Sequence, residues 1–270
     1  MSTMPTVFIP HGGGPCFFME WDPPDTWDKQ AAYLRGLPEA IGQKPKAMLV
    51  LSGHWEEDVA TVQTNPAPDL LFDYGGFPAH TYELTYPAPG DPLLAKRVVE
   101  LFDAANIPIK TDPLRGYDHG VFIPLKVAYP EADIPVIQLS LRSDLDPEAH
   151  IAMGKALQPL RAEGVLIIGS GNTYHNMGIM MRAMQNGGKD GIAGQDFDAW
   201  LSDTVCNTDS EARNRMLSKW ADAPGGPNAH PREEHLIPLL VVAGAAGSEI
   251  GKKTLEDHVM GAVESAFQFG

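Results

Sequence analysis

The sequence predicts a single α/β domain spanning residues 1–270, with a mostly parallel central sheet flanked by helices and a functional site at the carboxyl ends of the strands. Three observations lead there. Short apolar runs bounded by Pro, Gly or Ser recur along the chain and have the Leu, Ile and Val content of buried strands. Amphipathic helical patterns lie between these runs, and strands that alternate with helices build a parallel sheet covered on both faces. A length of 270 residues, with 43% hydrophobic and 20% charged residues, suits one large globular domain better than two ordinary ones.

Taken in order, Thr6–Pro10 (TVFIP) and Ala47–Ser52 (AMLVLS) read as buried strands. Residues 59–64 alternate apolar and polar side chains, the pattern of an edge strand. Residues 92–105 form a helix with Leu93, Leu94, Val98, Leu101 and Phe102 on one face. Residues 134–140 are a third buried strand. Residues 146–161 open with Asp-Pro-Glu, a helix start, and repeat Ile151, Leu157 and Leu160. Residues 165–169 are a fourth strand, 197–206 and 231–244 are helices, and 262–270 add a final strand. The polar, Gly-rich stretches 186–194 and 222–229 read as surface excursions.

Composition excludes several classes of function. A net charge of −15 repels phosphate backbones, so no nucleic-acid partner is expected. The longest apolar run, 236–246, is too short to span a bilayer, and residues 1–15 lack the pattern of a signal peptide. The only cysteines are Cys16 and Cys206, which excludes a disulfide framework and points to the reducing cytoplasm. HGGGP at residues 11–15 has the look of esterase oxyanion glycines, but neither Ser52 nor Ser170 has the glycine two residues before it that a nucleophile elbow needs. The same glycines do not complete a dinucleotide fingerprint, and no Walker loop or H-E-x-x-H is present.

The nine histidines carry the chemistry. His11 follows the first strand, His54 the second, and His175 comes a few residues after VLIIGS. Ligands in open α/β sheets gather beyond the carboxyl ends of strands, so these three can meet in one crevice. Neutral imidazole is a common ligand for zinc and iron. His119 sits in a turn before an apolar segment, and His235 falls in the first turns of the helix at 231–244. His230 reads as a cap or loop residue, because Pro231 suits the first helical position. His80, His150 and His258 lie in polar or loop settings without a chemical role.

These motifs, in order, are IPHGGGP, LSGHW, GGFPAHTYELTYPAPG, GYDHGVFIPL, PVIQLSL, GSGNTYHN and PREEHLIPLLVVAGAAG. Together they resemble the class III extradiol ring-cleavage dioxygenases, above all the DOPA-dioxygenase branch, over nearly the whole chain. The resemblance implies a nonheme Fe(II) enzyme, with Zn(II) able to occupy the same site. It implies His11, His54 and His235 as metal ligands and His119 and His175 as acid/base groups, with His175 or Glu234 as further candidates for the metal. The implied reaction is extradiol opening of a catechol ring by dioxygen to a muconic semialdehyde-type product.

Tyr117, Phe122, Trp55 and Tyr174 flank the motifs and are candidates for an aromatic substrate wall, with ordinary packing as the alternative. Arg232 is a candidate for a substrate carboxylate, or else a surface residue. The expected partners are a small catechol and dioxygen, and the chain is compatible with a homo-oligomer. Two other readings compete. One is a Memo-like metal- or phosphopeptide-binding protein without ring cleavage. The other is a zinc hydrolase, which would need no dioxygen.

Overall fold

The computed structural model describes residues 3–187, 189 and 191–270. Its strands in chain order are β1 (Thr6–Pro10), β2 (Ala47–Ser52), β3 (Glu56–Glu57), β4 (Thr61–Gln63), β5 (Lys110–Asp112), β6 (Val136–Gln138), β7 (Leu141–Arg142), β8 (Val165–Gly171), β9 (Gly251–Val259) and β10 (Ala262–Phe269). The α-helices are α1 (Asp28–Ile41), α2 (Pro92–Ala104), α3 (His119–Ala128), α4 (Pro147–Leu157), α5 (Pro159–Ala162), α6 (Met177–Gln185), α7 (Gln195–Val205), α8 (Ser210–Leu217), α9 (Gly226–Ala229) and α10 (Ile237–Ala245).

Six strands form one sheet in the order β6-β2-β8-β1-β10-β9. The pairs β6/β2, β2/β8 and β8/β1 are parallel, while β10 runs antiparallel to both β1 and β9. This is the single α/β domain with a mostly parallel sheet that the sequence predicts. Successive residues of a strand face opposite sides of a sheet. Phe8, Leu49, Leu51 and Ile167 therefore enter one core with α2, α4, α7 and α10. Val7, Ile9, Met48, Val50, Leu166 and Ile168 enter the other with α1 and α3. No helix among the described residues is long and apolar enough to cross a membrane.

Several expectations need correction. The helix expected at 231–244 begins at Ile237, with Pro238 in its first turn. A proline deeper inside a helix would lose a hydrogen bond and press on the carbonyl four residues before it, so residues 231–236 stay irregular. Pro159 likewise divides the helix expected at 146–161 into α4 and α5. The 59–64 segment contributes β4, which pairs with β5 in a separate two-stranded sheet and is buried. Leu93 is 80% exposed, because the buried face of α2 is set by Leu94, Ala95, Val98 and Phe102. His119 opens a helix instead of lying in a turn. In the 186–194 loop, Gly188 and Asp190 lie outside the described residues, while Ala193 bridges to Ala262.

Candidate active site

The carboxyl ends of β1, β2 and β8 open toward the turn that precedes α10. His11 extends β1 by one step, its N–H donating to Gly171 O at 3.2 Å. Gly12 and Gly14 then take φ of +75° and +55°, and a Cβ on Gly12 would lie 2.2 Å from Cys16 Sγ. Only glycine turns the chain this tightly beside the site. His54 follows β2, its N–H bonded to Ser52 Oγ at 3.1 Å. His235 is anchored by its carbonyl, which accepts from Asn172 N at 3.2 Å in the loop after β8.

Three imidazoles converge there. His54 Nε2 lies 3.1 Å from His11 Nε2 and 3.2 Å from His235 Nε2. The opposite ring nitrogens of His235 and His11 are engaged. His235 Nδ1 lies 2.9 Å from the Glu234 carboxylate, which only accepts, so that nitrogen carries the proton. For His11 the same result follows from a longer chain of causes. Gly120 sits in the first turn of α3, and its helical partner four residues on would be Pro124, which has no N–H. Ser170, on β8, supplies the missing donor, its hydroxyl hydrogen going to Gly120 O. The Ser170 oxygen is then left to accept from His11 Nδ1 at 3.1 Å.

Both His11 and His235 therefore turn unprotonated Nε2 atoms inward. Their lone pairs face His54 Nε2 at 3.1 and 3.2 Å, where either a proton on His54 or a shared cation satisfies them, and a proton-poor imidazole is the form that binds metal. Burial, reinforced by the neighbouring imidazoles, holds His11 far below the ordinary histidine pKa. His235 is held low mainly by burial, against the pull of Glu234. His54 is lowered by burial first and by His119 second. The donor set fits a divalent ion, and the His11, His54 and His235 nitrogens can hold one.

Two further histidines flank this face. The His119 ring lies 3.9 Å, centroid to centroid, from that of His54. His175 stacks on His235 at 3.5 Å. Asp73 Oδ1 accepts from both the backbone N–H of His119 at 2.9 Å and its ring Nδ1 at 2.8 Å, so it caps α3 and orients the imidazole together. Burial works to raise the Asp73 carboxyl, but the hydrogen bonds from His119 outweigh it and hold the group ionised. His175 Nδ1 lies 3.3 Å from Glu234 Oε1. Burial also works against ionised Glu234, yet His175 and His235 together keep its pKa well below the carboxylate range. Glu234 thus lies on the outer side of His235, against the Nδ1 atoms.

All five histidines line a cleft of about 400 Å³. Trp21, Trp27 and Phe77 form its aromatic wall, and the methionines of α6 face it. Tyr117, Trp55, Phe122 and Tyr174 are buried instead and do not line it. The Tyr117 hydroxyl donates to Val136 O at 2.7 Å inside the core. Trp55 donates to Glu57 Oε1 at 2.9 Å beneath the Arg115 guanidinium. Arg232 is half-exposed, bonded to Glu56 Oε1 at 2.6 Å, and lies 3.4 Å from Glu234 Oε2. His230 is buried and bonded to Thr173 O at 2.9 Å, apart from the trio. Sequence reasoning missed Asp73, Trp21, Trp27 and Phe77. WDPPDTW and FDYGGFP carry them, but nothing in the spacing ties those loops to the histidines.

The chain matches the family described as the catalytic LigB subunit of aromatic ring-opening dioxygenase over residues 5–268. It is 40% identical to a 4,5-DOPA dioxygenase extradiol of Beta vulgaris over 267 residues, covering 96% of this chain and 93% of that one. It is 34% identical to the protein of that name from Escherichia coli (strain K12) over 245 residues, covering 90% and 85%. A crystal structure of an uncharacterized Escherichia coli K12 protein superposes with a TM-score of 0.77 at 28% identity, covering 99% of this chain and all of that one. The chain therefore belongs to the LigB family of class III extradiol, aromatic ring-opening dioxygenases, and is an oxidoreductase.

Proposed function

We propose that the protein opens the ring of a substituted catechol beside its hydroxyls, with Fe(II) held by His11, His54 and His235. One observation carries this reading: three converging Nε2 atoms, two of them with their outer nitrogens tied, in a cleft that two more oriented histidines share. Fe(II) bound there would bring catechol and dioxygen together and supply the redox chemistry that joins them. Zn(II) fits the same donors but has no redox change to offer.

The protein's own part is proton handling and positioning. His119 keeps its Nδ1 proton on Asp73, so its Nε2 is free to accept a phenolic proton. His175, backed by Glu234, offers the same capacity from the opposite side. We assign the base to His175 and the hydrogen-bonding or acid role to His119. Trp21, Trp27 and Phe77 stack against the ring and keep water out. The cytoplasm is the proposed location.

The test uses Fe(II)-loaded enzyme and isotopically labelled dioxygen. Both labelled atoms are expected in a yellow semialdehyde, trapped early and weighed. The zinc form should give none. Turnover without dioxygen, or label drawn only from water, would overturn this function and favour metal-dependent hydrolysis. His11→Ala, His54→Ala and His235→Ala should each lose most bound metal while the fold persists.

A further inference from the structure

Glu264 is a buried acid that the proton chemistry above does not use. It is 2% exposed, lies near the start of β10, and lines the same cleft as the five histidines. Because β10 runs antiparallel to β1, its first residues come to the end of the sheet where β1 delivers His11. The carboxylate accepts from Thr173 N at 2.9 Å and lies 3.4 Å from Thr173 Oγ1. A carboxylate has about four acceptor sites, so these bonds and one from the Tyr174 backbone leave acceptor capacity on a residue that lines the cleft.

The charge around it is one-sided. Among the described residues no Lys or Arg pairs with Glu264, and none lines the cleft. Part of the same lining is apolar, with Met177, Met181 and Met184 on one face of α6. Met184 and Met260 are shared with an adjoining cavity of about 700 Å³, which Asp22, Asp25, Asp28 and Asp257 border against a single Lys29. Asp257 is buried there with one carboxylate oxygen lacking a hydrogen-bond partner. Arg232, the cation nearest in sequence to the metal face, is already occupied by Glu56 and Glu234.

We propose that the cleft selects catechols whose ring substituent carries an alkylammonium group, and that Glu264 receives that group. The inference rests on the ring-opening reading of the same site. A buried carboxyl without a counter-ion is costly to ionise, and a ligand cation removes that cost. In keeping with this, burial pushes Glu264 up to about 8, against the pull of the Thr173 and Tyr174 N–H groups. A carboxylated substituent would meet Glu264 in a cleft that no Lys or Arg lines, beside a cavity where four Asp outnumber the one Lys29.

The test compares three catechols substituted at C4 with aminoethyl, propyl or carboxyethyl. Affinity is read without oxygen on the metal-loaded protein, by quenching of the fluorescence of Trp21 and Trp27, which line the cleft. Ring opening is read separately in air. Wild type should bind the aminoethyl compound at least about tenfold more tightly than the propyl one, as a partly buried charged pair gives, and the carboxyethyl compound most weakly. Glu264→Gln keeps the Thr173 acceptor but not the charge, and should erase most of the aminoethyl-over-propyl ratio. A wild-type preference for carboxyethyl overturns the inference, and so does a Glu264→Gln variant that weakens all three alike. If that variant does not fold, the wild-type order still decides. Binding in the expected order without any ring opening would overturn the dioxygenase reading alone.

Discussion

Ser170→Ala removes a hydroxyl that serves two buried groups at once. Ser170 is fully buried, so water does not replace it. His11 Nδ1 loses its acceptor and Gly120 O its donor. A buried polar group left without a partner loses about 1–3 kcal/mol, so with two such groups the metal-free protein should be destabilised by about 2–6 kcal/mol. His11 is then also free to move its proton to Nε2, the nitrogen that would face a bound metal. Loss of an outer hydrogen bond of this kind weakens metal affinity by about 10–100-fold. Urea unfolding of the metal-free variant reads the first effect, and zinc competition with a chromogenic chelator reads the second. Adding Pro124→Ala separates them. An alanine N–H at 124 can bond Gly120 O, so the double variant should regain part of the stability but none of the affinity. Unchanged zinc affinity in Ser170→Ala, or affinity restored by Pro124→Ala, would refute the account of how His11 is oriented.

Two other outcomes follow from the same contacts. Asp73→Asn should keep its metal, because Asp73 stands 3.9 Å from the nearest nitrogen of His54, but should lose turnover at least about tenfold as His119 loses its charged anchor; metal analysis beside oxygen uptake checks both. His230 is lowered by burial from 6.5 to about 4, so between those pH values the unfolded chain binds a proton that the native protein refuses. Stability present at pH 7 is therefore lost as the medium is acidified through that window, by up to about 3 kcal/mol for this residue. In urea titrations from pH 7 to 4, His230→Asn should show a shallower decline than wild type, and equal slopes would contradict the assignment.

How much of this was legible beforehand depends on whether a residue's role is set by its own strand or by a distant one. TVFIP and AMLVLS are apolar on both faces, which marks them as central strands and places His11 and His54 at their exits. β9, GKKTLEDHV, escaped notice because it is an edge strand whose exposed face carries Lys252, Glu256 and His258, and charge there hides the pattern while protecting the edge. Helix α1 was missed as well, although Leu34, Leu37 and Ile41 repeat along it. Trp55, after β2, and Tyr117, just before α3, lie close to histidines in sequence but are buried in the core, since near neighbours in an irregular segment need not share a face. Asp73 and Glu264 became readable only when remote segments were brought together, as their partners lie 46 and 91 residues away.

That remoteness governs how the protein acquires its ion. His54 is 43 residues from His11 and 181 from His235, so no short stretch of nascent chain holds two of the proposed ligands. A zinc finger, with ligands a few residues apart, is folded by its metal. Ligands this far apart meet only in the folded chain, so under the proposed function folding would come first and the ion would enter a finished receptor. Neutral imidazole donors hold zinc more tightly than ferrous iron at equal concentration. Under the proposed function the active form would therefore depend on supply at the moment of loading, and a preparation's iron-to-zinc ratio would record the medium in which the chain was made.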